Sequence, residues 1–315
     1  LLGSKSYPFK KILVVKLDEI GDVVTSLHVF YNLHDLYPNA KITLLCRPFN
    51  NAFFTHLDYV ACVSSVAELD STYDLVVELR GNDKTLKYIR THKPKYLLDR
   101  GSIRFKNKFL GGQKNEIDTN LEVIQPLLKD SGILDNRIVL SNQEHLTIKS
   151  FIDEENIAPF VVLHIGARSE ARRWPIERFA SCIEYINTEY GMACILVGGD
   201  ADKELNNQCL ALVKNKRNMN IAGQFNLLEF AALCERATLF LGNESGPVHI
   251  ASAQKTPIIA LFGPGVRKVF YPRGEKVKIH HYFLARGHKS QTLENSTIFS
   301  ITIDEVKKSI DGLLQ

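Results

Sequence analysis

Two kinds of apolar patterning alternate along the chain. Short, nearly unbroken apolar runs at 11–16, 42–46, 75–77, 160–164, 194–197, 239–241 and 258–262 read as buried strands. Between them the apolar positions recur every three to four residues, which predicts helices over 23–36, 118–128, 146–155, 176–190, 202–213, 227–234, 247–253 and 303–314. Strands separated by helices imply a parallel sheet covered on both faces, because parallel neighbours need long crossover connections. The rhythm restarts at Phe160 after the polar, irregular stretch 135–144, which places a junction at about 141–159. The expectation is an α/β chain of two Rossmann-like domains, 1–150 and 151–315, facing a central cleft. One large doubly wound sheet is the alternative that periodicity leaves open, and the apolar face of the last helix does not say which domain it joins. The opening Leu1-Leu2-Gly3-Ser4 is left out of the fold reading.

Composition narrows the class. With 315 residues, of which 45% are apolar and 23% charged, the chain has material for two ordinary domains. No stretch approaches the roughly 20 apolar residues that span a bilayer, and no signal-peptide pattern precedes the first strand, so the expected location is cytoplasmic. Cys46, Cys62, Cys182, Cys194, Cys209 and Cys234 fall singly in apolar stretches with no CxxC. They read as small buried hydrophobes in a reducing compartment rather than metal ligands. The 39 Lys and Arg against 35 Asp and Glu give a formal charge of +4, too slight to argue for nucleic acid. Within 100–114, however, Arg100, Arg104, Lys106, Lys108 and Lys114 occur with no acid between them. That stretch can attract an anion, with a solvated basic loop as the plainer alternative.

Ligands of open α/β sheets gather at the carboxyl ends of strands, where helix N-termini offer unpaired N–H groups to anions. Three loops qualify. In 241–249, Asn243, Glu244, Ser245 and Gly246 lead into a helix that Pro247 suits at its first turn, with His249 about one turn in. Room at Ser245 and Gly246 suits a phosphate and Glu244 suits a sugar hydroxyl, although a simple N-cap above a core histidine fits the same residues. In 166–175, Ala167 and three arginines, Arg168, Arg172 and Arg173, precede Trp174, read as packing, and arginine forks suit a diphosphate. In 17–22, Asp22 follows Gly21 at a first helical turn, where the dipole favours the anion and hence a proton acceptor. Asp18 and Glu19 compete with it, and spacing does not choose. Neither GxGxxG nor GxxxxGK[ST] occurs in 241–249, which counts against a simple NAD enzyme or P-loop NTPase.

Three motifs in order, ILVVKLDEIGDVV, ARRWP and GNESGPVHIASA, resemble the bacterial glycosyltransferase family 9, the heptosyltransferases, with weaker matches at ILVGGDADKE and PIIALFGP. The resemblance implies a GT-B fold whose first domain holds an acceptor and whose second holds a nucleotide sugar, most simply ADP-linked, in an inverting, metal-independent transfer. It implies Asp22 as general base, Arg172 at the diphosphate, Ser245 and Gly246 as phosphate-facing backbone, His249 below them and Phe225 against the nucleobase, with Glu204 near the ribose. The donor site drawn from it is Gly21, Ala167, Arg172, Phe225, Asn243, Glu244, Ser245, Gly246, Pro247 and His249. Arg100, Arg104, Lys106 and Lys108 would meet an anionic glycolipid or glycan, such as a phosphorylated lipopolysaccharide core, with peripheral contact at the inner membrane face. No cofactor beyond the sugar nucleotide is expected. Two positions depart from the family: Glu244 stands where Asp is usual, and no cysteine follows Tyr282. A UDP- or GDP-sugar transferase and a non-catalytic nucleotide-sugar-binding module are the rival readings.

Overall fold

The computed structural model describes residues 8–107, 109, 112–129, 132–263, 267–282 and 296–315. The chain divides into two compact units: one runs to Val139 and takes in Lys268–Phe270, the other runs from Leu140 to Arg267 and from Tyr271 to Gln315. Each has its own parallel sheet, so the single large sheet is not what forms.

In the first unit, β1 (Lys11–Lys16) lies between β2 (Lys41–Cys46) and β4 (Leu75–Arg80), with β3 (Val60–Val63) and β5 (Tyr96–Asp99) at the edges, in the order β3-β2-β1-β4-β5. β1 and β2 are buried at every position after the first, which is why both appear as unbroken apolar runs. The edge strands are largely half-buried, and their pattern had not marked them. The helix expected over 23–36 forms as two, α1 (Ile20–Val24) and α2 (Leu27–Leu36). The break has a local cause. Thr25 Oγ1 donates to the Asp22 carbonyl at 2.9 Å and Ser26 Oγ to the Val23 carbonyl at 2.7 Å, so hydroxyls occupy carbonyls that a continuing helix would use. Asp22 therefore sits on a five-residue helix of its own. α3 (Asp83–His92), α4 (Arg100–Lys106) and α5 (Glu116–Ile124) complete the unit.

The second unit pairs β6 (Phe160–His164), β7 (Ala193–Leu196), β8 (Met219–Asn220), β9 (Leu239–Asn243), β10 (Ile258–Phe262) and β11 (Val277–His281) in the order β11-β10-β9-β6-β7-β8. Its helices are α6 (Asn142–Glu155), α7 (Ile176–Tyr190), α8 (Lys203–Ala211), α9 (Leu227–Arg236), α10 (Gly246–Ala253) and α12 (Ile303–Leu314); the short α11 (Arg267–Phe270) spans the division. α12 belongs here: Val306 and Ile310 enter the same core as Phe179 and Ile183, and Tyr185 and Tyr190 both donate to Asp311, at 2.8 and 2.7 Å. Strand order reverses between β1 and β4 and between β6 and β9, the switch points beside which open parallel sheets hold ligands. Among the described residues, no helix is long and apolar enough to cross a membrane.

Candidate active site

At the first switch point, the loop leaving β1 is pinned from three sides. Leu17 N donates to the Arg80 carbonyl at 2.8 Å, Arg47 Nε to the Leu17 carbonyl at 3.1 Å, and Asn50 Nδ2 to the Asp18 carbonyl at 3.0 Å. The three acids that spacing could not rank part company here. Asp18 Oδ2 lies 2.8 Å from Lys16 Nζ and Asp18 Oδ1 3.5 Å from Arg80 Nε; Glu19 meets Arg47 at 2.8 Å. Asp22 has no ion-pair partner within 4 Å among the described residues. Burial pushes its carboxyl up to about 6, outweighing the nearby Lys16 charge, while Asp18 and Glu116 push the same way. The helix-dipole expectation of a depressed value is corrected: desolvation wins, and a one-and-a-half-turn helix has little dipole to oppose it.

Lys16 is fully buried, with Asp18 at 2.8 Å and Glu116 at 3.7 Å. Arg100 is buried too, ion-paired to the same Glu116 oxygen. Arg100 therefore leaves the exposed basic patch in which its sequence neighbours had placed it, because α5 brings Glu116 to it. α5 also brings Glu122 to Lys106 at 3.4 Å and to Lys114 at 2.8 Å. Arg104 and Lys106 are exposed on α4; Lys108 lies outside the described residues.

At the second switch point, Asn243 is fully buried and bridges two loops: its Nδ2 donates to the Ile165 carbonyl at 2.7 Å and its Oδ1 accepts from Trp174 N at 3.1 Å. Arg173 Nε donates to the Ala167 carbonyl at 2.9 Å, closing the same loop on itself. Trp174 is buried, its indole donating to the Ile301 carbonyl at 3.0 Å, in keeping with a packing role. Arg172 remains part-exposed, with Nη1 3.9 Å from Glu244 Oε1. Glu244 is buried, its Oε2 has no hydrogen-bond partner, and burial pushes its carboxyl up to about 7 against the pull of Arg172. Ser245, Gly246 and Pro247 open α10; no side chain caps the helix start, Pro247 has no N–H, and Val248 N donates to the Ser245 carbonyl at 3.3 Å. His249 is buried and pushed down to about 4, hence neutral at pH 7.

Elsewhere, Gly21 is buried in α1, Ala167 is buried after β6, and half-buried Phe225 packs edge-on against Phe151 with centroids 5.1 Å apart. Glu204 is exposed on α8 and accepts from Gln208 at 2.9 Å. Two further residues, His164 and Asp202, join the second cluster. His164, the last residue of β6, is buried with Nδ1 3.0 Å from Ser245 Oγ and Nε2 3.9 Å from Asp202 Oδ2. A lone polar side chain ending an otherwise apolar central strand was the available signal.

A family model described as glycosyltransferase family 9 (heptosyltransferase) matches residues 120–297, more than half of the chain. The chain belongs to glycosyltransferase family 9. This glycosyltransferase is 25% identical over 276 residues to lipopolysaccharide heptosyltransferase 3 of Escherichia coli, covering 77% of this chain and 80% of that one. Its fold resembles a family 9 glycosyl transferase from Veillonella parvula DSM 2008, with a TM-score of 0.81 at 19% identity and 97% of both chains covered. An E. coli heptosyltransferase solved with ADP matches at a TM-score of 0.71 and 15% identity, covering 96% of this chain and 100% of that one. The family 9 enzyme thus has the GT-B architecture of two Rossmann-like domains.

Proposed function

We propose that this family 9 glycosyltransferase moves a heptose from ADP-heptose to an anionic lipopolysaccharide core acceptor, with inversion and without a metal. The acceptor hydroxyl oxygen attacks the anomeric carbon as the bond from that carbon to the diphosphate breaks; the hydroxyl proton goes to Asp22, and ADP leaves. What carries the reading is the contrast among the three acids of one loop. Asp18 and Glu19 are committed to cations, whereas Asp22 has a proton affinity close to neutrality, as general-base work at pH 7 requires. Arg172 and the amides of α10 supply positive charge where the leaving diphosphate becomes more negative. The unpartnered Glu244 oxygen is an acceptor for a donor hydroxyl. ADP is favoured by the relative solved with it, and the acceptor class by the lipopolysaccharide heptosyltransferase match.

Exposed Arg104 and Lys106 flank exposed Phe105, which is 4.6 Å from Phe109 between ring centroids. A basic, aromatic stretch suits peripheral contact with an anionic bilayer, and favours a location at the cytoplasmic membrane surface. Asp22→Asn tests the base: turnover should fall by about 10²–10⁴-fold while ADP binding stays within about twofold. Unchanged turnover sinks the assignment. Activity should also survive EDTA, and loss reversed by added Mg²⁺ would remove the metal-free part of the proposal.

A further inference from the structure

Four buried charges form a chain beside the loop that leads to Asp22. Lys16, at the end of β1, has Asp18 at 2.8 Å and Glu116 Oε1 at 3.7 Å, and Arg100 Nη2 is ion-paired to the same Glu116 oxygen. None of the four side chains is more than 13% exposed, so water and salt screen them little. Arg80, which reaches Asp18 Oδ1 at 3.5 Å from β4, is 53% exposed and counts for less. The helices that bring in Arg100 and Glu116 do not need that pair for their own starts. α4 begins on Asp99, whose carboxylate accepts Gly101 N and Ser102 N at 2.9 Å, and α5 begins on Asn115, which accepts Ile117 N at 3.0 Å. Nor does a buried ion pair ordinarily hold a fold better than apolar side chains of the same volume. One turn along the same face of α5, Asn120 Nδ2 donates to the Thr25 carbonyl at 3.3 Å, which ties the face bearing Glu116 to the end of α1.

We propose that Arg100 and Glu116 are positioning residues for the base: with Lys16 and Asp18 they close a network of two cations and two anions, and this zero balance leaves Asp22 the one acid of the site that exchanges a proton. The inference rests on the reading of Asp22 as general base and adds two residues that need not touch a substrate. Ionised, Asp22 is a fifth charge that the network does not match; protonated, it restores the balance, so taking the acceptor's proton returns the site to neutrality. Burial raises the proton affinity of Asp22 most; Lys16 and Arg100 oppose that rise, and Asp18 and Glu116 add to it. The other charges nearby have partners of their own: Glu19 meets Arg47, and Glu78 on β4, which also feels Arg100, shares a hydrogen bond with Asp99. The segment Pro48–Phe54, which packs against α1, carries no charge.

The test is an NMR titration of the full chain labelled at the aspartate Cγ carbons, with the Asp22 signal assigned by its loss in Asp22→Asn. Glu116→Gln leaves the network one cation in excess and should lower the Asp22 midpoint by about one pH unit; Arg100→Met leaves one anion in excess and should raise it by about as much. The double substitution restores the balance and should titrate within about 0.3 of a pH unit of wild type, although the whole ion pair is gone. The inflection of kcat/KM should move with each midpoint. Structural damage alone would lower kcat in all three variants and leave the midpoint in place, and that result overturns the proposal, as does a double variant that titrates like Glu116→Gln. Should Arg100→Met fail to fold with Glu116 left unpaired, Glu116→Gln and the double variant decide. Because the midpoint is read without turnover, the two readings fail separately: an Asp22→Asn enzyme that keeps its activity ends the base assignment, and an unmoved midpoint ends the charge balance.

Discussion

Asp22 shows how one residue can be set against the stability of its own fold. Its carboxyl holds a proton more tightly in the folded chain, up to about 6, than an ordinary aspartate near 3.8 does when unfolded. For a raised value the contribution is fully present below the unfolded pKa and is lost as pH rises through about 6. The ionised form of Asp22, which the proposed base role requires, is therefore the less stable one. At pH 8, Asp22→Asn should raise the melting temperature by a few degrees relative to wild type, while at pH 3.5 the difference should vanish; calorimetry at the two pH values checks it. kcat/KM should rise with pH through an inflection near 6, because only the carboxylate accepts a proton. Lys16 is the main charge opposing that upward shift, so Lys16→Met should move the inflection higher. It should also destabilise the fold by about 3–5 kcal/mol, since Asp18 and Glu116 lose a buried counter-charge.

Among elements, the loop between β6 and α7 depends on side chains donated from elsewhere. Asn243→Ala would leave the Ile165 carbonyl and the Trp174 N–H without their partner; at about 1–3 kcal/mol for each buried orphan, the melting temperature should drop clearly and ADP affinity with it. Unchanged values for both would show that the bridge is dispensable. The same elements show what patterning could and could not convey. β1, β6, β9 and β10 announce themselves because central parallel strands are buried on both faces, and the loops after β1, β6 and β9 could be picked out as soon as those strands were placed. β3, β5, β8 and β11 contain two to five residues and sit toward the sheet edges, with half-buried positions that leave no period to read. The split of 23–36 was hidden because Thr25 and Ser26 are tolerated inside helices; only their bonds to preceding carbonyls reveal the break. Arg100 was misplaced for a related reason. Its partner Glu116 stands 16 residues away, a distance over which local charge patterns are silent. His164 was overlooked inside the very strand that positions it.

For the whole molecule, the two sheets repeat one solution, an order that reverses beside the first strand, and the candidate residues Asp22 and Asn243–Ser245 follow strands at the reversal in each. Ligand binding to one unit should register in the stability of the chain. ADP at about 100 times its Kd should stabilise the protein by about 2.7 kcal/mol, and a thermal-shift comparison with UDP and GDP under the same conditions identifies the base. A larger shift with UDP or GDP would reassign the donor. On the acceptor side, retention of the chain on phosphatidylglycerol vesicles should exceed that on phosphatidylcholine and fade as salt rises from 50 to 500 mM, about the range over which screening shortens from more than 10 Å to a few. Equal retention on both lipids would rule out the electrostatic part of the membrane contact.

Of the six cysteines, five are buried and Cys62, on the edge strand β3, is partly exposed. The Cys46 thiol donates to Asn51 Oδ1 at 3.1 Å, and the neighbouring Cys46 holds the Cys62 thiol below its ordinary value while burial helps push Cys46 up. A thiol-reactive dye added to native enzyme should thus mark one position quickly and the remainder only as the molecule opens. The chain carries its own stopwatch for unfolding, with one early tick from the first unit and later ones dominated by the second.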